Sequence, residues 1–254
     1  MNNISRRHHE LKIAYLRHKL RSLPHGYFGT WKNRQVVYIY YEPGNEKVGH
    51  SSKRRFFISS KRGRESAEQI REYKELKSQL DVLLSEWKAR YTEPPRQIDF
   101  PLRKRRRGYF TYDFFKNAVP DQNPRKKVHN VTDGKTQFRS KNELVAAMIM
   151  EKFGYETKTE VQIEFDEFTG FYADVLFYVP EIDKVILLEI DGALEKADYV
   201  SKSYHNTAAC VINGLVEMKD FIVVRYGNGY DIDSRQIERM ISAAIDASID
   251  DLVL

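Results

Sequence analysis

Two apolar runs that carry carboxylates stand close together between Tyr172 and Gly192, in the stretch YADVLFYVPEIDKVILLEIDG. Asp174 opens the first run, and Glu189 and Asp191 close the second. Strand side chains alternate between faces with period two, so Glu189 and Asp191 share one face. The connector ProGluIleAsp is typical of a turn, and a hairpin would bring Asp174 opposite the end of the second strand. The sequence therefore predicts that three carboxylates converge.

Such a cluster of negative charge predicts a divalent cation. Carboxylates at close range repel one another and resist ionisation together. Oxygen ligands in small number suit Mg²⁺ or Mn²⁺. An alternative stays open at this point, in which the acids belong to an ordinary surface hairpin and are dispersed and exposed to solvent.

The pattern resembles the PD-(D/E)XK nuclease superfamily. That superfamily holds its metal with an acid from a first helix, an Asp on one strand and a Glu two residues before a Lys on the next strand. On this resemblance the helix acid is Glu143, in FRSKNELVAAMIMEKFGY, the motif Asp is Asp174 and the motif Glu is Glu189. The motif Lys is replaced by Asp191.

This replacement is similar to the branch that includes very-short-patch-repair endonucleases, whose core strand ends in Glu-x-Asp-Gly. Gly192 follows Asp191 here, and ValValArgTyr stands at 223–226. Glu195 occupies the place of a His that is common in that branch. The resemblance covers about residues 136–254.

The resemblance implies an α/β fold, with a restriction-endonuclease-like α/β/α core around a central mixed sheet. It implies a metal-dependent nuclease that hydrolyses phosphodiester bonds, most simply a DNA endonuclease of the kind found in phages and mobile elements. Asp174, Glu189 and Glu143 would be the metal ligands for Mg²⁺ (or Mn²⁺). Lys196 or Lys202 would supply the missing cation, and His205 is a candidate general base because imidazole side chains ordinarily titrate near neutrality.

Several of these residues have a structural alternative. Ser140 and Glu143 fit a capping box at the start of a helix. Asp191 either adds a ligand or turns the chain together with Gly192, since AspGly is a turn sequence. Tyr204 is interpreted as a packing residue.

The composition excludes several classes of protein. The chain has 254 residues and one cysteine, Cys210, so it has neither an internal disulfide framework nor a thiolate zinc site. The N-terminus lacks the apolar region of a signal peptide, and no apolar run approaches the ~20 residues of a membrane span. We therefore expect a cytoplasmic protein without a membrane partner.

Charge is divided unevenly along the chain. Residues 1–135 contain 31 Lys and Arg against 14 Asp and Glu, whereas residues 136–254 contain 11 against 22. A basic half favours polyanions such as nucleic acid, and an acidic half favours cations. Both preferences suit a nuclease.

Three segments are predicted. Residues 1–91 form a basic α+β module that binds nucleic acid, with helices over about 4–22 and 64–91 around a three-stranded meander. Residues 92–135 form a basic linker with one short helix, and residues 136–254 form the nuclease-like domain. The candidate phosphate-binding residues are Arg54, Arg55, Arg103, Lys104, Arg105, Arg106, Arg107, Arg125, Lys126 and Lys127.

A second function is compatible with the same residues. The nuclease-like fold could be catalytically silent and serve as a subunit that binds nucleic acid or scaffolds a complex, which the absence of the motif Lys favours. For an active enzyme we expect DNA rather than RNA as the partner. A homodimer would be needed to cut both strands with one active site per chain.

Overall fold

The computed structural model describes residues 4–41, 52–106, 108–124, 131–134, 136–165, 168–192, 197–226 and 233–253. The chain divides into two compact units. One comprises His9–Pro101, and the other comprises Met1–His8 with Leu102–Leu254. The division falls inside the first helix.

The N-terminal unit consists of an antiparallel sheet and two helices. The elements are α1 (Arg6–Ser22), β1 (His25–Trp31), β2 (Arg34–Tyr41), β3 (Ser52–Phe57) and α2 (Lys61–Arg90). Lys32 and Asn33 adopt positive φ angles, as a tight turn between β1 and β2 requires. The sheet order β1-β2-β3 confirms the predicted meander, and both predicted helices are present.

Two clusters of described residues contribute to the core of this unit. Ile13, Leu16 and Leu20 of α1 pack against the apolar stripe of α2. Val37 and Ile39 of β2 pack against Ile70 of α2. The apolar residues of α2 therefore pack against α1 in one cluster and against the sheet in the other.

The second unit contains the acid-bearing strands. Its elements are β4 (Arg103–Lys104), α3 (Tyr112–Asn117), β5 (Val131–Thr132), β6 (Gln137–Phe138), α4 (Lys141–Phe153), β7 (Glu156–Phe165), β8 (Phe168–Val179), β9 (Lys184–Asp191), α5 (Ala197–Ile212), β10 (Phe221–Arg225), α6 (Ser234–Ile249) and β11 (Leu252–Val253). The predicted order of helix, three strands, helix, strand and helix is confirmed from α4 to α6.

The main sheet is mixed and has the order β10-β9-β8-β7. β7, β8 and β9 are antiparallel neighbours, and β10 runs parallel to β9. Leu176, Leu187 and Phe221 pack against Ala209 and Cys210 of α5. α4 and α6 contact each other and also contact the sheet. The broad prediction of an α/β fold with a mixed sheet is confirmed.

The segment expected to be a linker, residues 92–135, is instead divided between the two units, with residues 92–101 in the N-terminal unit and the rest in the second. From Leu102 onward the chain belongs to this unit, and Phe110 and Phe115 are buried in its core. After α3, the backbone amide of Asp121 donates to the Thr159 carbonyl of β7 at 2.9 Å. The aromatic residues in this segment have apolar surface to bury, which a charge count does not reveal.

No helix within the described residues is both long enough and apolar enough to cross a bilayer.

Candidate functional site

The two predicted strand acids face each other where β8 and β9 separate. Val175 pairs with Leu188, and the antiparallel ladder continues toward the hairpin turn at Val179 and Lys184. One step before Val175, the carboxylate of Asp174 accepts a hydrogen bond from the Ile190 amide at 2.7 Å. The carboxylate of Glu189 accepts one from the Asp174 amide at 3.3 Å. Each acid therefore occupies the position of a backbone acceptor on the opposite strand.

Burial opposes the ionisation of both acids. Glu189 is 6% exposed, and Asp174 is partly buried. Burial, together with the charge of Glu143, raises the pKa of Asp174 to about 7. Burial, together with the charges of Asp174 and Asp191, raises the pKa of Glu189 well above its ordinary value. Both carboxylates would ionise more readily beside a cation.

Glu143 lies close enough to Asp174 to affect its pKa, and it also caps α4. The Ser140 hydroxyl accepts from the Glu143 amide at 3.1 Å, and the Glu143 carboxylate accepts from the Arg139 amide at 2.9 Å. Glu143 is 7% exposed, and burial raises its pKa. The capping interaction and the approach to Asp174 thus occur together.

Asp191 is held by the following helix. The Ser203 hydroxyl donates a hydrogen bond to its carboxylate, and its carbonyl accepts from the Tyr226 amide at 3.1 Å. A Cβ atom on Gly192 would collide with the Tyr226 ring. The AspGly pair therefore fits the close approach of the strand end to Tyr226.

α5 directs several polar residues toward these acids. Asn206, buried on this helix, donates to Glu189 at 3.3 Å. The Lys202 ammonium lies near enough to lower the pKa of both Asp174 and Glu189 against the stronger effect of burial. Lys202 therefore lies close enough to both acids to act on their ionisation.

The other two residues predicted on α5 point to solvent. His205 is exposed, and within the described residues it has no hydrogen bond or ion pair with a carboxylate. Tyr204 is 66% exposed, so its interpretation as a packing residue is wrong. Lys196 and Glu195 lie outside the described residues.

Divalent-cation chemistry fits the paired acids. In the described part of the chain, no group of three or more His, Cys, Asp or Glu side chains forms a ready-made metal site. Mg²⁺ needs fewer protein ligands, because it keeps several waters and binds through one or two carboxylates. Asp174 and Glu189 provide those two. The alternative of dispersed, solvent-exposed acids is wrong, since Glu143 and Glu189 are both buried.

Glu160 of β7 is a buried acid near the site that the sequence pattern does not indicate. Glu160 is 3% exposed, has a φ of 51° and forms an ion pair with Arg139. Its charge adds to the forces that raise the pKa of Glu143. The left-handed backbone interrupts the strand alternation, so the period-two pattern gives no signal for this residue.

The basic run before α3 has two kinds of member. Lys104 forms an ion pair with Asp183 at 2.8 Å, and Arg106 forms one with the buried Asp220 at 2.7 Å. Arg103 and Arg105 are exposed. Intramolecular pairing makes Lys104 and Arg106 weaker candidates for phosphate contact than predicted. Arg107, Arg125, Lys126 and Lys127 lie outside the described residues.

The N-terminal unit also presents exposed cations. Arg54 and Arg55 of β3 are exposed. Arg17, Arg21 and Arg62 line a cleft of about 810 Å³ bounded by α1, α2 and the sheet. Within the described residues none of these three is paired with a carboxylate. Glu65 also lines the cleft, so the cations there outnumber the acid.

Comparison of the chain with protein-family models, curated proteins and solved structures found no match. The function is therefore inferred from the side chains and their surroundings.

Proposed function

We propose that the protein is a metal-dependent nuclease that hydrolyses phosphodiester bonds, with DNA as its substrate. The observation that carries this proposal is the pair Asp174 and Glu189. Both acids sit at the divergence of two strands with raised pKa values and hydrogen bonds to the opposite backbone. A divalent cation would stabilise the ionised form of acids in such surroundings more than that of ordinary exposed acids.

The fold supports the same proposal. The order from α4 to α6 and the sheet order β10-β9-β8-β7 are compatible with a restriction-endonuclease-like core. In such a core the helix acid and the two strand acids meet at one edge of the sheet. Two observations support such an arrangement in this chain: the charge of Glu143 raises the pKa of Asp174, and Asp174 and Glu189 lie on neighbouring strands.

Four side chains have proposed roles in holding the metal ion and setting its surroundings. Asp174 and Glu189 would hold Mg²⁺ (or Mn²⁺), with the Ile190 carbonyl as a further oxygen ligand. When bound, the ion lowers the pKa of water and offsets charge on the phosphate. Asn206 fixes the orientation of Glu189, and Lys202 adds positive charge beside the acids.

Glu143 and Asp191 have supporting positions. Glu143 would accept a proton or orient a water next to Asp174, because burial raises its pKa. Asp191 is tied to Ser203 and so anchors the strand end to α5. His205 remains a candidate base only if its exposed ring is brought to the acids by bound substrate.

A cleavage assay tests the proposal. Supercoiled plasmid, linear duplex, single strand and RNA are incubated with Mg²⁺, Mn²⁺ or chelator. We expect metal-dependent cleavage by the parent protein and a loss of at least about 10²-fold in Glu189→Gln and Asp174→Asn, since each removes a ligand charge. Glu164→Gln is the matched control, because Glu164 is an exposed acid on the neighbouring strand β7.

Cleavage that persists at the parent rate in Glu189→Gln would refute the catalytic assignment. A second function has one observation in its favour, because Asp191 stands where the superfamily has its Lys. If the parent binds nucleic acid tightly but cuts none of the four substrates with either metal, the protein is a catalytically silent binding subunit.

A further inference from the structure

The three-stranded sheet of the N-terminal unit has one face that α2 contacts only at one end, where the Tyr73 ring lies 4.4 Å from the His25 ring. On the covered face, Phe28, Val37 and Phe56 form one row across the strands and pack with Ile70. The alternate rows point the other way. We call this second side the outer face; it carries Tyr27, Trp31, Arg34, Tyr38, Tyr40, Arg55 and Phe57.

The rings on the outer face lie against one another and against the sheet. Tyr27 stacks on Tyr38 with a centroid distance of 4.8 Å, and Tyr27 lies 5.9 Å from Tyr40. Gly29 lies beneath Tyr38, since a Cβ atom there would come within 2.9 Å of the ring. The tyrosines are therefore held in place before any ligand arrives.

A cation is stacked at the end of this row of rings. The guanidinium of Arg55 lies 3.8 Å from the centroid of Trp31, and Arg34 lies 6.0 Å from that of Phe57. Trp31 is 41% exposed, whereas Trp87, the other tryptophan of the chain, is 2% exposed. An exposed indole paired with an arginine offers both a flat apolar surface and a positive charge.

The charge of the outer face has one sign. Its rows contain no Asp or Glu within the described parts of β1, β2 and β3. Arg34 and Arg55 are exposed, as is Lys32 in the adjoining turn. The ligand that matches such a surface carries negative charges along a backbone and flat rings beside it.

We propose that the outer face binds single-stranded nucleic acid by stacking unpaired bases on Trp31 and the tyrosines. In a duplex both faces of each base are covered by neighbouring bases, so the rings of this surface have no base face to meet. Unpaired bases expose those faces, and stacking on aromatic side chains tolerates any sequence. The proposal rests on the proposed function only in that the strand held here belongs to the substrate that is cut.

Binding is measured without cleavage, in chelator, with the full-length Glu189→Gln protein. Fluorescein-labelled oligo(dT), oligo(rU) and a hairpin duplex of equal phosphate number are compared by anisotropy. We expect oligo(dT) to bind more tightly than the duplex and to quench the emission of Trp31. Trp31→Ala should weaken oligo(dT) binding about 5- to 100-fold, while Trp31→Phe should keep most of it.

Arg55→Ala and Arg71→Ala form a matched pair. Both guanidiniums lie over aromatic rings of the same unit, but Arg71 covers Phe28 on α2's side of the sheet. We expect Arg55→Ala to weaken oligo(dT) binding more than Arg71→Ala does. Oligo(rU) shows whether the sugar is read as well.

Three results would overturn the proposal. They are duplex binding that equals or exceeds single-strand binding, equal losses in Arg55→Ala and Arg71→Ala, and a Trp31→Ala substitution that weakens heparin binding as much as it weakens oligo(dT) binding. Heparin is a polyanion without bases, so it isolates the charge contribution. Strong oligo(dT) binding by a protein that never cleaves would instead refute the nuclease assignment and leave this surface intact.

Discussion

Asp174 and Glu189 have two opposing effects on stability. As hydrogen-bond acceptors they satisfy the amides of Ile190 and Asp174 where the β8–β9 ladder stops. As neighbouring buried acids they make ionisation unfavourable. A protein that keeps such a pair has a local cost in stability, which is common at functional sites.

The pH dependence of stability reports this cost. The pKa of Asp174 is about 7 in the folded chain, above the ordinary 3.8, so the folded state binds its proton more tightly than the unfolded state does. The contribution of Asp174 to stability is therefore full below about pH 4 and is lost as pH rises through 7. We expect metal-free Asp174→Asn to be more stable than the parent at pH 8 and to lose that advantage toward pH 4.

Urea unfolding at several pH values, with and without Mg²⁺, measures this difference. Added Mg²⁺ should raise the midpoint of the parent at pH 8 by preferential binding to the folded state and should leave Asp174→Asn nearly unchanged. Glu164→Gln again serves as the control. An unfolding midpoint of Asp174→Asn that tracks the parent at every pH would contradict the assigned burial effect.

The sequence predicted some members of the site and missed others for physical reasons. Strand periodicity and a turn were enough to place Asp174 opposite Glu189. Asn206 could not be found in this way, since it reaches Glu189 from α5 after a crossover connection. Glu160 could not be predicted either, because its left-handed φ breaks the alternation of side chains between the two faces of the strand.

At the scale of elements, α3 packs into the core although the sequence around it is highly charged. The segment around it is rich in Lys and Arg, and this composition favoured a linker. Its aromatic residues were the contrary signal, because Phe110 and Phe115 are 5% and 2% exposed. Helices and strands with long amphipathic patterns were predicted correctly, whereas a six-residue helix has too short a pattern to show which surface it joins.

Phe115→Ala tests the role of α3. Removing a fully buried phenyl ring should destabilise the second unit by about 3–5 kcal/mol, because a cavity remains beside Tyr178 and the sheet. Val119→Ala, at a 57% exposed position just after the helix, should change stability by less than about 0.5 kcal/mol. Equal urea midpoints for the two variants would mean that the packing of Phe115 contributes little to the stability of the second unit.

Across the whole molecule, the units divide charge less sharply than the two halves of the sequence do. Residues 9–101 contain 19 Lys and Arg against 11 Asp and Glu, and the rest of the chain contains 23 against 25. The basic run at 103–107 accounts for much of this change, because it belongs to the same unit as the buried acids. Cations and carboxylates are thus supplied to one unit by distant parts of the sequence.

The exposed members of that run should govern the salt dependence of binding. We expect Arg103→Ala/Arg105→Ala to reduce the slope of log affinity against log salt by up to about 2 for duplex DNA, as two phosphate contacts are lost. Lys61→Ala/Lys88→Ala removes the same charge from exposed positions on α2. If both double variants change the slope equally, only net charge matters and the run at 103–107 is no specific contact.

The strand that holds Glu189 has a neighbour that follows it in the sequence, because β10 pairs in parallel with β9. The surroundings of the acids are therefore completed in a fixed order during synthesis. Asp174 and Glu189 leave the ribosome before Asn206, and β9 lacks its outer neighbour until Phe221–Arg225 has followed. A nascent chain that has just emerged through Gly192 therefore carries the two acids without the helix and strand that orient them. The two acids thus acquire the neighbours that orient them only once synthesis has reached the last third of the second unit.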